Sequence, residues 1–316
     1  MNSSRLIDAD QPPATVAVSI SSSDAGRPLG EIVAERLGIV GQQAAARGGL
    51  WLGQRRVAPE TLAVPGATLL VRLPPARGYC DAPLRLDHIV YEDDDLLVID
   101  KPPACYVNDT PWDTQGHVLA VATRLLAMRD GQMPTLHLAH RLDFGTSGLL
   151  IISKHPRANG PLQAAFNSGR VAKRYLAICT GEMPVEIELV TGHGRAAGGR
   201  WRLYDRAEIG LELPNGQRVK LAHTHFIRRH QYATAALVWA MPITGRAHQI
   251  RLHLAALGCP LLGDERYGGP TAIADLTLPH PLLHAAELTL PHPRDGRPMR
   301  LFSPPPPLFG AVVQRL

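Results

Sequence analysis

The chain is poor in the residues that would staple it, anchor it in a membrane or hold a metal. Its 316 residues include four cysteines, Cys80, Cys105, Cys179 and Cys259, far apart and without a C-x-x-C pair. That spacing speaks against a disulfide framework and a thiolate metal site, and fits a reduced cytoplasmic protein. No stretch reaches the length of a membrane span. The first residues, "MNSSRLIDADQPPATVAVSI", lack the basic start and apolar core of a secretory signal. No H-E-x-x-H motif is present. His248 and His253 are five residues apart, about 140° around a helix, so they do not share a face. His223 and His225 share a strand face but have no evident third ligand. Neither a metal nor a cofactor is expected. Charged residues make up 19%, too few for a disordered chain, and hydrophobic residues 45%, ample for a core. The formal net charge of +5 suits a polyanionic partner without requiring one.

What is there divides into a small unit and a large one. Residues 1–22 are polar and bear Ser and Pro, which predicts a flexible terminus. A small αβ domain is expected over 23–75. In it "LGEIVAERLG" has helical spacing and a Gly where the helix could stop, "LWLGQRRV" reads as a hairpin, and "PGATLLVRL" as a turn and closing strand. The Pro/Gly-rich residues 76–85 read as a linker. The larger domain is expected over 86–316. "HIVYEDDDLLVIDKPP" reads as a strand pair around an acidic turn, and "HVLAVATRLLAM" as an amphipathic helix. "GLLIISK", "RYLAICTG", "ATAALVWAMPIT" and "LLHAAELTL" read as strands. "PLQAAF" reads as a short helix opened by Pro161, and "HQIRLHLAALG" as a helix closed by Gly258. Strands outnumber helices and do not alternate regularly with them. The fold class is therefore α+β, with a mixed, largely antiparallel sheet.

The stretch "AHRLDFGTSGLLIISK", residues 139–154, raises a chemical question. Asp143 can be read as a turn residue bonding backbone N–H groups ahead of it. It also stands at the mouth of a buried strand, where loss of water raises a carboxylate's pKa unless a cation compensates. A compensating arginine would keep it ionised and aimed, as a nucleophile or base requires. Arg141 is one candidate. Arg251, inside the helix of "PITGRAHQIRLHLAALGCPLLGDERYGG", is another, with its fork presented rigidly. In "GRVAKRYLAICTGE", Tyr175 can stack on a base while Lys173 and Arg174 meet phosphates, or it can be an ordinary half-buried strand tyrosine.

These stretches together resemble the RluA-type pseudouridine synthases. "HRLDFGTSGLLIISK" resembles that family's signature, "YEDDDLLVIDKPPACYV" its strand pair ending in Lys-Pro, and "KRYLAICTG" its tyrosine segment. "PITGRAHQIRLHLAALGCPLLGDERYG" resembles its long C-terminal motif, and "LLHAAELTLPHP" with "FSPPPP" its tail. The order is kept over residues 86 to about 306.

The resemblance implies an isomerase that cleaves the N-glycosidic bond of a uridine in structured RNA, ribosomal or transfer, turns the uracil, and rejoins it through C5, without a cofactor. It implies Asp143 as the catalytic carboxylate, attacking C1′ or abstracting a sugar proton. Tyr175 would lie against the uracil and Arg251 would pair with Asp143. Arg141 would fill the gap left by the flipped nucleotide. His140, Lys173, Arg174, Arg246 and His248 would be RNA contacts.

There are departures. The Lys-Pro motif continues unusually through "PACYVN". "HPRANGPLQAAF" interrupts what is usually a longer helix. "GHGRAAGGRWRLYDRAE" is a Gly/Arg-rich insert expected to contact RNA through Arg195, Arg200, Arg202 and Arg206, near Trp201 and Tyr204. The N-terminal unit weakly resembles the small RNA-binding domain named after a ribosomal protein, but its usually basic helix carries only Arg47 in "VGQQAAARGG". Two rival readings are a non-catalytic RNA-binding protein on the same fold, and a hydrolase pairing Asp143 with Asp264 or Glu265.

Overall fold

The apolar, β-branched stretches fold as strands. A computed structural model describes residues 14–75, 78–196 and 200–316. Residues 1–13 of the expected flexible terminus, 76–77 of the expected linker and 197–199 of the insert lie outside the described residues. The chain divides into two compact units. One holds the described residues up to Leu84 together with Cys105–Met133, the other Arg85–Ala104 with Pro134–Leu316. The division is not contiguous, unlike the sequence-based one: residues 105–133 group with the N-terminal unit.

In the first unit, strand β1 (Thr15–Ser19) lies within the stretch expected to be flexible. Helix α1 (Leu29–Ala46) follows, then β2 (Leu50–Leu52), β3 (Arg55–Arg56) and β4 (Thr68–Arg72). The sheet order is β1-β4-β2-β3. As expected, the regular helix stops at Gly38, whose ψ of −143° is far from helical. The glycine takes φ +60° and kinks α1, which resumes to Ala46. Ile32, Val33, Leu50, Leu69 and Val71 form this unit's core. Helix α2 (Val118–Asp130) belongs to the same unit and stops at Gly131 in the left-handed conformation. Arg47 explains part of the grouping. Its guanidinium meets Asp81 at 2.7 Å and Asp113 at 2.6 Å. Its carbonyl accepts from Thr114 N–H at 2.8 Å.

The second unit contains β5 (Ile89–Glu92), β6 (Leu96–Lys101), β7 (His137–Leu138), β8 (Ser147–Ser153), α3 (Pro156–Asn167), β9 (Ala172–Thr180) and β10 (Glu186–Arg195). It continues with β11 (Trp201–Tyr204), β12 (Lys220–Gln231), β13 (Ala235–Pro242), α4 (Gln249–Ala256), β14 (Ala272–Ile273), β15 (Leu276–Thr277), β16 (Leu283–Pro291), β17 (Pro298–Phe302) and α5 (Pro307–Val313). An 11-stranded sheet runs β11-β10-β12-β13-β9-β16-β8-β6-β5, with β17 added to β16 and β7 to β8. Among the described pairings in this sheet only β16 with β8 is parallel, so the α+β, largely antiparallel reading holds.

Strands β6 and β8 are buried on both faces, which is why "LLVI" and "GLLII" read as continuous apolar runs. Leu96, Val98, Leu149 and Ile151 cluster with Ala158, Leu162 and Ala165 of α3. That contact accounts for a difference from expectation. Helix α3 starts at Pro156 and runs through Pro161 instead of opening there. An interior proline costs about 3 kcal/mol. Burial of Leu162 recovers about 1.5–3 kcal/mol, and the two alanines add to it.

Candidate active site

Asp143 precedes β8 in a turn closed by Thr146 N–H donating to the Asp143 carbonyl at 3.1 Å. The turn ends at Gly148, where β8 meets β16. Gly148 has φ +106°, and a Cβ there would lie 2.4 Å from the Ala285 carbonyl oxygen. The glycine therefore allows the parallel crossing and sets where the carboxylate emerges. Behind it the buried Ser147 hydroxyl meets His284 Nδ1 at 2.9 Å, while His284 Nε2 donates to the Ser303 carbonyl at 3.0 Å.

A cleft of about 1210 Å³ opens in front of Asp143. Its lining includes Arg141, Lys173, Tyr175, Arg246, His193 and Trp201. The space exceeds the ordinary range for a small-ligand pocket. Burial pushes the Asp143 carboxyl above the usual carboxylate range. Arg251, Arg141, a hydrogen bond from the His248 backbone and Lys101 oppose that rise. Tyr175 lies on β9 between Ala240 and Ala285 and is 8% exposed. Burial, and secondarily the charge of Asp143, raise its phenol, which stays protonated at neutral pH.

Arg251 reaches the site differently from expectation. Its Nε and Nη2 donate to the two carboxylate oxygens of Asp264 at 2.8 and 2.7 Å. The direct fork is thus to Asp264, and Asp143 feels Arg251 through space. The physical reason is that α4 is buried all round. A guanidinium inside it needs a bidentate carboxylate of its own. The Arg251 guanidinium also lies 4.9 Å from the centre of the Tyr267 ring, and the Tyr267 hydroxyl meets His248 Nδ1 at 2.8 Å. His248 takes φ +56°, unusual outside glycine, just where its backbone faces Asp143.

The expected RNA contacts separate into groups. Arg141, Lys173, Arg246 and His140 line the cleft. Burial and Arg246 bring the Lys173 ammonium down to about 8. His140 carries no charge at neutral pH, because burial brings it down to about 4 and its Nε2 accepts from Ile151 N–H at 3.0 Å. Arg174 lies away from the cleft lining, over Trp239 at 4.6 Å and paired with Glu287 at 2.9 Å. His248 caps α4 instead of lining the cleft. Arg200 is exposed, and Arg202 lies over Tyr204 at 4.4 Å; neither is in the cleft wall.

The sequence reading passed over Lys101 and the Arg251–Asp264 partnership. Lys101 is fully buried at the end of β6, with its Nζ donating to the Pro102 carbonyl at 2.8 Å and the Phe144 carbonyl at 3.3 Å. A lysine closing an apolar run before Pro-Pro was the available signal. Asp264 was weighed only as a second catalytic carboxylate. Both its oxygens are held by Arg251, which makes it a counter-ion.

One ionisable carboxylate, aromatic side chains and several cations thus share one cleft. The model of the RNA pseudouridylate synthase family matches residues 95–256. RNA pseudouridine synthase 1 of Oryza sativa subsp. japonica is 34% identical over 266 residues, covering 72% of this chain and 74% of its own. Ribosomal large subunit pseudouridine synthase C of Vibrio vulnificus is 35% identical, covering 73% and 69%. The structure of human RNA pseudouridylate synthase domain containing 4 superposes with a TM-score of 0.59 at 26% identity, covering 73% of this chain and 93% of that one. The chain belongs to the RNA pseudouridylate synthase family, of the RluA type, and is an isomerase acting on uridine in RNA.

Proposed function

We propose that the chain modifies uridines of ribosomal RNA in the cytoplasm, with Asp143 as the catalytic carboxylate. The observation that carries this reading is the shared cleft of Asp143 and Tyr175 beneath a cationic rim. The uridine leaves its stack to enter, because a stacked base hides both C1′ and C5; extrusion costs a few kcal/mol. Phosphate contacts from Arg141, Lys173 and Arg246 offset part of that cost. Arg141, exposed on the cleft wall, occupies the gap left in the RNA. Asp143 then acts at the sugar, by attack on C1′ or by removal of a sugar proton. The N1–C1′ bond breaks, the uracil turns, and C5 bonds to C1′ as the Asp143 ester is released from C1′ or the sugar proton is returned; the C5 proton then leaves beside Tyr175 and N1 takes up a proton from water. The field of Arg251, itself fixed by Asp264, helps keep Asp143 ionised. The printed names of several relatives, including the Vibrio vulnificus protein, support the ribosomal large subunit as source of the RNA. Transfer RNA is the alternative substrate. Within the N-terminal unit Arg47 is occupied by Asp81 and Asp113, which supports a weak RNA affinity there.

The test uses RNA containing C5-tritiated uridine. The wild type is expected to release tritium to water, and Asp143→Asn to release none while melting as a folded protein. Turnover retained in that variant overturns the role of Asp143. A pseudouridine map from cells with and without the gene identifies the RNA.

A further inference from the structure

The cleft wall carries an aromatic row that the isomerisation leaves unused. Strands β10 and β11 pair with Arg195 opposite Trp201 and His193 opposite Leu203. Side chains alternate across a strand, so His193 and Arg195 project to one face with Trp201. On the opposite face, this end of β10 has Gly192 and Gly194. A Cβ at Gly192 would lie 2.6 Å from Val219 Cγ1 and 2.9 Å from Tyr204 Cβ, and one at Gly194 would lie 2.7 Å from Leu213 Cδ1. The glycines of "GHGR" thus let Tyr204, Val219 and Leu213 close up behind the hairpin, which fixes which face looks into the cleft.

On that face the row steps from core to solvent. His193 is 3% exposed and its Nε2 donates to the Ala247 carbonyl at 2.8 Å. Burial keeps its imidazole below its ordinary pKa, which favours the neutral ring. Trp201 stacks on it, with centroids 4.9 Å apart and planes 25° apart. The exposed Arg195 lies 4.6 Å from the Trp201 ring centre. His193 and Trp201 both line the cleft that holds Asp143, and Arg218 and Lys220 add charge beside them.

We infer that His193, Trp201 and Arg195 form a stacking ledge for an unpaired nucleotide beside the flipped uridine. The inference rests on the cleft being the uridine site. An aromatic ring backed by a second ring suits any base, because every base has a π face. The guanidinium of Arg195 occupies the ring's environment until the base arrives, and then passes to a phosphate. A paired flank would hold its bases inside the duplex and away from the ledge. The ledge therefore selects uridines with a single-stranded neighbour.

The test uses total RNA from cells lacking the gene, which holds the unmodified substrate. Asp143→Asn protein is crosslinked to it with ultraviolet light, and both the peptide and the nucleotide are mapped. The expected crosslink joins the peptide bearing Trp201 to a nucleotide one or two positions from the uridine that wild-type protein converts. On an RNA fragment spanning that uridine, Trp201→Ala is expected to lower kcat/KM about tenfold or more, through KM, and Trp201→Phe to recover most of the loss. Crosslinks confined to the rest of the cleft, or an unchanged KM in Trp201→Ala, overturn the ledge. If the wild type isomerises no RNA, the role of Asp143 falls, and the crosslinked peptide alone decides the ledge.

Discussion

Asp143 is held at a cost that a neutral isostere removes. Its folded pKa lies above the unfolded value of about 3.8, so protonation favours the native state. That contribution is fully present below the unfolded pKa and is lost as pH rises through the folded one. Asp143→Asn is therefore expected to melt higher than wild type at neutral pH, and the gap to close as pH falls toward 4. Thermal melts across pH check this, and a variant less stable at neutral pH would contradict it. Asp264 gives a second residue-scale prediction. Asp264→Asn leaves a buried guanidinium without its carboxylate and is expected to cost about 3 kcal/mol or more in denaturant unfolding. In the surviving folded fraction Asp143 feels a less compensated Arg251 charge, so the acid limb of the pH–rate profile shifts to lower pH.

At the scale of the element, helix α3 carries a proline that the rest of the helix tolerates. Pro161 sits in the second turn, exposed, where it donates nothing to the Arg157 carbonyl. Pro161→Ala restores a donor and removes a clash. The proline's stiffening of the unfolded chain offsets about 0.4–1 kcal/mol of this. A net gain of about 1–2 kcal/mol is expected. It would show as a higher urea midpoint with unchanged slope. A lower midpoint would mean that the backbone has adapted fully to the proline. Helix α4 is the contrasting case. It is short, buried all round, and ordered by Asp264, Tyr267 and the sheet more than by its own periodicity.

For the whole molecule the relevant quantity is the charge presented to RNA. The net charge is only +5, so affinity depends on where the cations lie. Lys173 lies in the cleft wall and titrates near 8. Removing it by Lys173→Ala is expected to reduce the slope of log affinity against log salt by about one at pH 7. Above about pH 9 the wild-type slope should approach that of the variant, because Lys173 is then neutral. Filter binding at several salt concentrations and two pH values measures both. Equal slopes for the two proteins at pH 7 would remove Lys173 from the RNA interface.

The amino-acid order alone determined the apolar strands on either side of Asp143, the fold class and the residues that carry the family signature. Local apolar runs, turn glycines and the motif around Asp143 are properties of contiguous sequence. It did not determine that residues 105–133 group with the N-terminal unit, because the partners of Arg47 are 34 and 66 residues away. Nor did it determine the partner of Arg251. The resemblance implied Asp143, and only the buried geometry of α4 assigned the fork to Asp264. The insert's Arg202 and Trp201 are adjacent in sequence yet face opposite ways, since a strand alternates its sides. Sequence names the charged and aromatic groups; tertiary packing decides which of them share one water-poor space, and electrostatics acts on that proximity.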